Sequence, residues 1–157
     1  MKIKLGMQPM TLAQAAAYCG GELYDFTGSA GVEFSYICTD SREADKDTMF
    51  VAIRGERVDG HDYIGAAVSS GNECVLCERI PENLGQKYTA VVVEDSLRAV
   101  GELAKAYDRR INNKKVAITG SVGKTTTKEF TKIILSERFK VHSNEGNYNN
   151  HIGLPMS

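Results

Sequence analysis

Residues 119–126 read Thr-Gly-Ser-Val-Gly-Lys-Thr-Thr and follow directly on the apolar run Val116-Ala117-Ile118. A glycine turn placed between a strand signal and a helix signal limits the chain to few folds, because its backbone must close around something. Gly120 and Gly123 let successive N–H groups surround an anion where a Cβ would obstruct them. Lys124 adds a mobile cation for outer phosphates, and Thr125 offers a hydroxyl to Mg²⁺. A helix starting here aims its positive end at the same place. Ser121, Val122 and Thr126 complete the turn, so residues 120–126 are the candidate nucleoside triphosphate site, with Lys124 and Thr125 as its chemical groups and Thr125 as the metal ligand.

The longer phosphate-loop pattern asks for glycine five positions before Gly123, where this chain has Ile118. The match is therefore the shorter Gly-x-x-Gly-Lys-Thr form, which also occurs in ordinary loops. Context favours the phosphate reading. Lys124 to Arg138 fits a helix, with Phe130, Ile133, Ile134 and Phe139 near helical spacing.

Net charge is -1 over 157 residues, with 42% hydrophobic and 25% charged content. That balance fits a soluble globular protein of one domain or slightly more and argues against a broad cationic surface for nucleic acid or anionic lipid. No apolar stretch approaches the roughly 20 residues that cross a bilayer, and the N-terminus lacks the build of a secretory signal. The expected compartment is the cytoplasm, without membrane insertion; no oligomeric state is written in the sequence. Cys74-Val-Leu-Cys77 has a spacing used by zinc and redox sites. Within a strand, however, residues three apart point to opposite faces, which predicts buried, reduced thiols.

Thr11-Leu-Ala-Gln14 predicts a capping box, with a short helix to Tyr18 stopped at Gly20-Gly21. Strands are expected at 32–38, 48–53, 73–77 and 90–93, and a helix at 63–68. From Ser96 to Ile111, Leu97, Val100, Leu103, Ala104 and Tyr107 line one helical face. Asn112-Asn113 then breaks the pattern. The expected organisation is an N-terminal mixed α/β substrate-binding domain over residues 1–112, followed over 113–157 by the truncated start of a P-loop parallel-sheet ATPase domain. That second part should hold one strand, the phosphate turn, a helix and a further strand near Lys140 to His142. Some 45 residues cannot complete a parallel sheet, so the chain reads as the front of something longer.

Two N-terminal loops could carry chemistry. Thr39-Asp40-Ser41-Arg42 supplies an acceptor, a hydroxyl and a cation that suit a uracil edge, a ribose or a diphosphate, and a capped turn explains it as well. Asp59-Gly60-His61-Asp62 has the same two readings, a binding loop or an N-cap with its turn. Asn147, Asn149 and Asn150 offer amides that donate and accept, although asparagine also favours plain turns. His142 and His151 have no partner nearby in sequence and read as structural or exposed.

Taken in order and spacing, Thr39–Arg42, Phe50-Val-Ala-Ile-Arg-Gly55, Asp59-Gly-His-Asp-Tyr63, Thr119–Thr126 and Gly146-Asn-Tyr-Asn-Asn-His-Ile-Gly-Leu-Pro155 resemble the Mur ligase family of peptidoglycan synthesis. The resemblance covers nearly the whole chain. Its Asn-rich string is most similar to the members that join D-alanyl-D-alanine to UDP-N-acetylmuramoyl-tripeptide. It implies a three-domain ligase that uses ATP and Mg²⁺ to turn the tripeptide carboxylate into an acyl phosphate, which the dipeptide amine then displaces. It further implies that Thr39, Asp40, Ser41, Arg42, Asp59, Gly60, His61 and Asp62 line the UDP pocket, that Asn147, Asn149 and Asn150 contact substrate, and that residues 120–126 hold ATP. Alternatives are another ligase of the family or a folylpolyglutamate synthase, a nucleotide-sugar-binding module without catalysis, and a P-loop switch ATPase.

Overall fold

The computed structural model describes residues 2–4, 8–28, 31–55, 57–82, 88–111 and 113–143. Its centre is a six-stranded sheet ordered β1-β5-β6-β7-β8-β3. The strands are β1 (Lys2–Lys4), β3 (Glu22–Asp25), β5 (Tyr36–Cys38), β6 (Thr48–Val51), β7 (Cys74–Cys77) and β8 (Thr89–Val92). Neighbours from β5 through β8 pair in parallel, while β1 and β3 close the two edges antiparallel. A separate two-stranded ribbon joins β2 (Met10–Thr11) to β4 (Glu33–Phe34).

Parallel strands are buried on both faces, and these sequences suit that: every residue of β6 and β7 is buried. Alternate side chains feed two cores. Met49, Val51, Cys74, Leu76 and Val91 pack with α1 (Leu12–Cys19) and α3 (Ser96–Ile111). Phe50, Ala52, Val75, Cys77 and Ala90 pack with Ile64 and Ala67 of α2 (Ile64–Ser69) on the other side. Cys74 and Cys77 therefore face opposite cores, as their spacing predicts. All four cysteines are free, and burial pushes the Cys74 thiol up to about 12 and those of Cys38 and Cys77 up to about 11. Neutral thiols at such positions are packing groups.

The expected helices form. Thr11 and Gln14 make the reciprocal capping bonds at 3.1 and 3.2 Å, and Gly20 ends α1 in a left-handed conformation. The stretch 32–38 differs from the single strand expected. The amides of Ser35 and Tyr36 both donate to the Asp47 carbonyl, at 2.8 and 3.1 Å, and this turns the chain from the ribbon into the main sheet.

Beyond α3, residues 113–120 run without strand pairing, all exposed but the half-buried Ile118, until α4 (Lys124–Ser136) begins. The strand expected at Val116–Ile118 and the one expected near Lys140 to His142 are not formed. A strand needs a neighbour to satisfy its N–H and C=O groups, and none lies beside these segments among the described residues. No helix among the described residues is long and apolar enough to cross a membrane.

Candidate functional site

Because β5 to β8 run parallel, their carboxyl ends lie along one rim of the sheet, where the crevice of an open α/β fold takes its ligands. Four turns leave that rim: residues 39–42 after β5, 54–62 after β6, 78–79 after β7 and 94–96 after β8. The two loops singled out in the sequence are thus adjacent, following neighbouring strands.

Asp40 caps the 3-10 turn Ser41–Glu43. Its Oδ1 accepts from the Arg42 amide at 3.1 Å and from Arg42 Nε at 2.9 Å, while Oδ2 accepts from Arg42 Nη2 at 2.6 Å. The guanidinium, helped by the amide, holds the Asp40 carboxyl well below the usual carboxylate range. Arg42 remains 87% exposed, so the donors of its fork not used by Asp40 face solvent. Thr39 and Ser41 are half-buried beside it. The capped turn expected here forms, and its capping aspartate also orients the arginine.

After β6 the chain makes a small hairpin. Arg54 bridges to Asp59, the Gly55 amide donates to the Val58 carbonyl at 2.9 Å, and the Gly60 amide donates to the Ile53 carbonyl at 2.9 Å. A Cβ on Gly60 would lie 2.7 Å from the Ile53 nitrogen, so only glycine lets the two backbone segments approach this closely. Arg54 and Arg57 on this hairpin are exposed and make no ion pair among the described residues.

His61 lies beneath, only 4% exposed. Its Nε2 accepts from the Glu78 amide at 2.9 Å, which leaves the proton on Nδ1, directed at Asp59 Oδ1 2.6 Å away. Asp59 Oδ1 also accepts from the His61 amide at 3.0 Å, and Oδ2 accepts from Arg79 at 3.1 Å. The amide and ring of His61, with Arg79 close by, lower the Asp59 carboxyl to about 2. Asp62 is exposed, with the same guanidinium at 3.8 Å. The Glu78 carboxylate in turn accepts from the Ser96 amide at the start of α3, at 3.0 Å.

Glu78, Arg79, Ser96 and Arg57 escaped the motif reading, and Arg54, although inside the string Phe50–Gly55, was given no role. Their signal was positional, since each stands within a few residues of the end of a strand legible as apolar sequence. Asn147, Asn149, Asn150 and His151 lie outside the described residues, and His142 is exposed.

At the phosphate turn, Gly123 is left-handed with φ 80° and begins α4 with no side chain capping it. The N–H groups of the first helical turn, at Lys124, Thr125 and Thr126, have no partner within the helix and belong to exposed residues, and the Lys124 ammonium folds back to the Gly120 carbonyl. Gly120, with φ 153°, opens the turn, and Ser121 and Val122 are exposed between the glycines. An uncapped helix start with a lysine folded over it fits a phosphate chain, and the exposed Thr125 hydroxyl fits a metal bound to it. No cluster of three or more His, Cys, Asp or Glu that could hold a metal occurs among the described residues.

Known proteins resemble this chain in sequence and fold. The chain is 38% identical over 121 residues to the UDP-N-acetylmuramoyl-tripeptide--D-alanyl-D-alanine ligase of Bacillus subtilis, covering 77% of this chain and 26% of that one. It superimposes on a crystal structure of MurF from Acinetobacter baumannii with a TM-score of 0.85 at 36% identity, over 96% of this chain and 32% of that one. It superimposes on MurF ligase from Thermotoga maritima in complex with ADP with a TM-score of 0.69 at 34% identity, over 76% of this chain and 27% of that one. The chain thus spans about a third of these proteins or less. The profile of the Mur ligase middle domain matches residues 118–157, and that of the Mur ligase family catalytic domain matches residues 33–115. Matched in this way over more than half of its length, the chain belongs to the Mur ligase family.

Proposed function

We propose that this chain is the N-terminal part of an ATP-dependent ligase that joins D-alanyl-D-alanine to UDP-N-acetylmuramoyl-tripeptide in the cytoplasm, for peptidoglycan synthesis. The observation that carries the reading is the pairing, in one chain similar to such ligases, of a polar rim at the carboxyl ends of β5–β8 with an uncapped, lysine-covered phosphate turn. The rim binds the UDP end of the substrate. Asp40, Ser41 and Asp59 offer acceptors to base and ribose, and the exposed guanidiniums of Arg42, Arg54 and Arg57 suit the diphosphate, which arginine grips through paired N–H donors.

Residues 120–126 hold ATP, with Thr125 toward Mg²⁺ and Lys124 toward the outer phosphates. ATP supplies the phosphoryl group that turns a carboxylate into a displaceable acyl group. The protein's share is to fix that carboxylate, spread positive charge over the phosphates and exclude water. Asn147, Asn149 and Asn150 are assigned to the substrate side of the same centre, and the boundary between the two domains to residues 112–113.

The test uses the complete polypeptide. Phosphate release from ATP should require both UDP-N-acetylmuramoyl-tripeptide and D-alanyl-D-alanine, and Lys124→Ala should lower it by about 100-fold or more, the usual cost of losing a donor to a developing anion. Release that ignores either substrate would contradict the assignment. A folylpolyglutamate synthase would respond to folate instead of UDP-sugar.

A further inference from the structure

The His61 ring is buried under the substrate rim, and it is bonded at both ends. We propose that His61 is a positioning residue: it touches no ligand, and it fixes the arginine-bearing hairpin against the turn after β7 so that the two together can bind the UDP end of the substrate. The inference rests on the nucleotide-sugar reading of this rim.

Its basis is a continuous chain of hydrogen bonds across three strand ends. The Ser96 amide, leading into α3 after β8, donates to the Glu78 carboxylate; the Glu78 amide, after β7, donates to His61 Nε2; His61 Nδ1 donates to Asp59 Oδ1; and Asp59 Oδ2 accepts from Arg79. Every link is 3.1 Å or shorter. A ring 4% exposed cannot reach a ligand in this arrangement, and neither nitrogen has a lone pair or proton to spare. What the ring does is tie residue 59, at the base of the hairpin carrying Arg54 and Arg57, to residue 78, next to Arg79. Removing it leaves the Glu78 amide unpaired under the rim and takes from Asp59 Oδ1 one of its two donors, the His61 amide remaining. A buried amide without an acceptor favours a shifted hairpin in which water can reach it.

The ring has two separable functions, and substitution can divide them. Glutamine at position 61 can place its amide oxygen where Nε2 accepts, whereas leucine supplies neither bond. Calorimetric titration with UDP-N-acetylmuramoyl-tripeptide is run on the 157-residue chain and on His61→Gln and His61→Leu, with amide exchange measured at Glu78 in each. His61→Leu should weaken binding by about tenfold or more and speed Glu78 exchange, and His61→Gln should restore the protection together with most of the affinity. Should His61→Leu fail to fold, His61→Gln against wild type still decides, since it must bind within about threefold of wild type while protecting Glu78. Wild-type affinity in His61→Leu, or a protected Glu78 in His61→Gln with affinity lost, would overturn the positioning role alone. A wild-type chain that takes up no ligand would overturn the nucleotide-sugar reading and this inference with it.

Discussion

Gly60→Ala is the sharpest small change this structure suggests. The added methyl would sit 2.7 Å from the Ile53 nitrogen, 2.8 Å from the Ile53 oxygen and 3.2 Å from the Ala52 carbonyl carbon, all backbone atoms that cannot rotate away. Relief requires the hairpin to move off the end of β6, which stretches the 2.9 Å bond from the Gly60 amide to the Ile53 carbonyl. Forced backbone shifts cost about 1–3 kcal/mol and the weakened hydrogen bond about 0.5–1.5, so the substitution should destabilise by roughly 2–4 kcal/mol. Against a typical stability of about 5–15 kcal/mol that is a large fraction. At roughly 4 °C per kcal/mol for a domain near 110 residues, Tm should fall by about 8–16 °C. Thermal unfolding followed by circular dichroism gives the number, and Gly101→Ala provides the contrast. Gly101 sits within α3 with nothing inside 4 Å of its built Cβ, so alanine there should raise Tm by a few degrees, about 1 kcal/mol of helix propensity. If Gly60→Ala melted within about 2 °C of wild type, the close approach at the base of the hairpin would be wrong.

Other consequences follow from the same contacts. Asp59 has a folded-state pKa of about 2, below its ordinary 3.8, so its bonds contribute fully well above pH 4 and are lost as pH falls from about 4 toward 2; exchange of the His61 amide, which donates to Asp59 Oδ1, should accelerate across that window after correction for intrinsic exchange. Thiol titration of the native chain at pH 8 should find Cys38, Cys74 and Cys77 slow to react, with all four reacting at once in denaturant; rapid native labelling of Cys74 would contradict its burial. Limited trypsin digestion should cut first at Lys114 or Lys115, in the exposed stretch without strand pairing after α3, and leave the sheet of β1–β8 intact; early cleavage at Arg98 or Lys105 would contradict it. Phe130, Ile133, Ile134 and Phe139 are each more than half exposed, so the isolated chain should bind an apolar dye, and Ile133→Asp should reduce that signal without lowering Tm.

The elements packing dictates were the ones legible in the sequence. The capping box at Thr11, the amphipathic stripe of α3 and the all-apolar β7 each carry a local pattern that the fold only had to accept. The edges were not legible. β1 and β3 are recruited by neighbours far along the chain, and the break at Ser35 depends on the Asp47 carbonyl, twelve residues later. Val116–Ile118 shows the converse: apolar, β-branched sequence predicts a strand, but ladder bonds need a second strand that the described residues do not place there. At the candidate site, glycine and charge spacing singled out the two loops and the phosphate turn. The placement of the two loops came from the parallel sheet, which sets residues 40, 59 and 78 on one rim. His61 illustrates the limit of motif reading most clearly. Its place in an Asp-Gly-His-Asp string suggested a ligand contact, whereas its burial between two internal partners is what the positioning role proposed above rests on.

The most direct test maps where the UDP end of the substrate lands. Backbone amide spectra of the 157-residue chain, recorded during titration with UDP-N-acetylmuramoyl-tripeptide, should show saturable shifts concentrated at residues 39–42 and 54–62, competed by UDP. An absence of saturable shifts, or shifts confined to the opposite end of the sheet around Asn72 and Asp45, would contradict it.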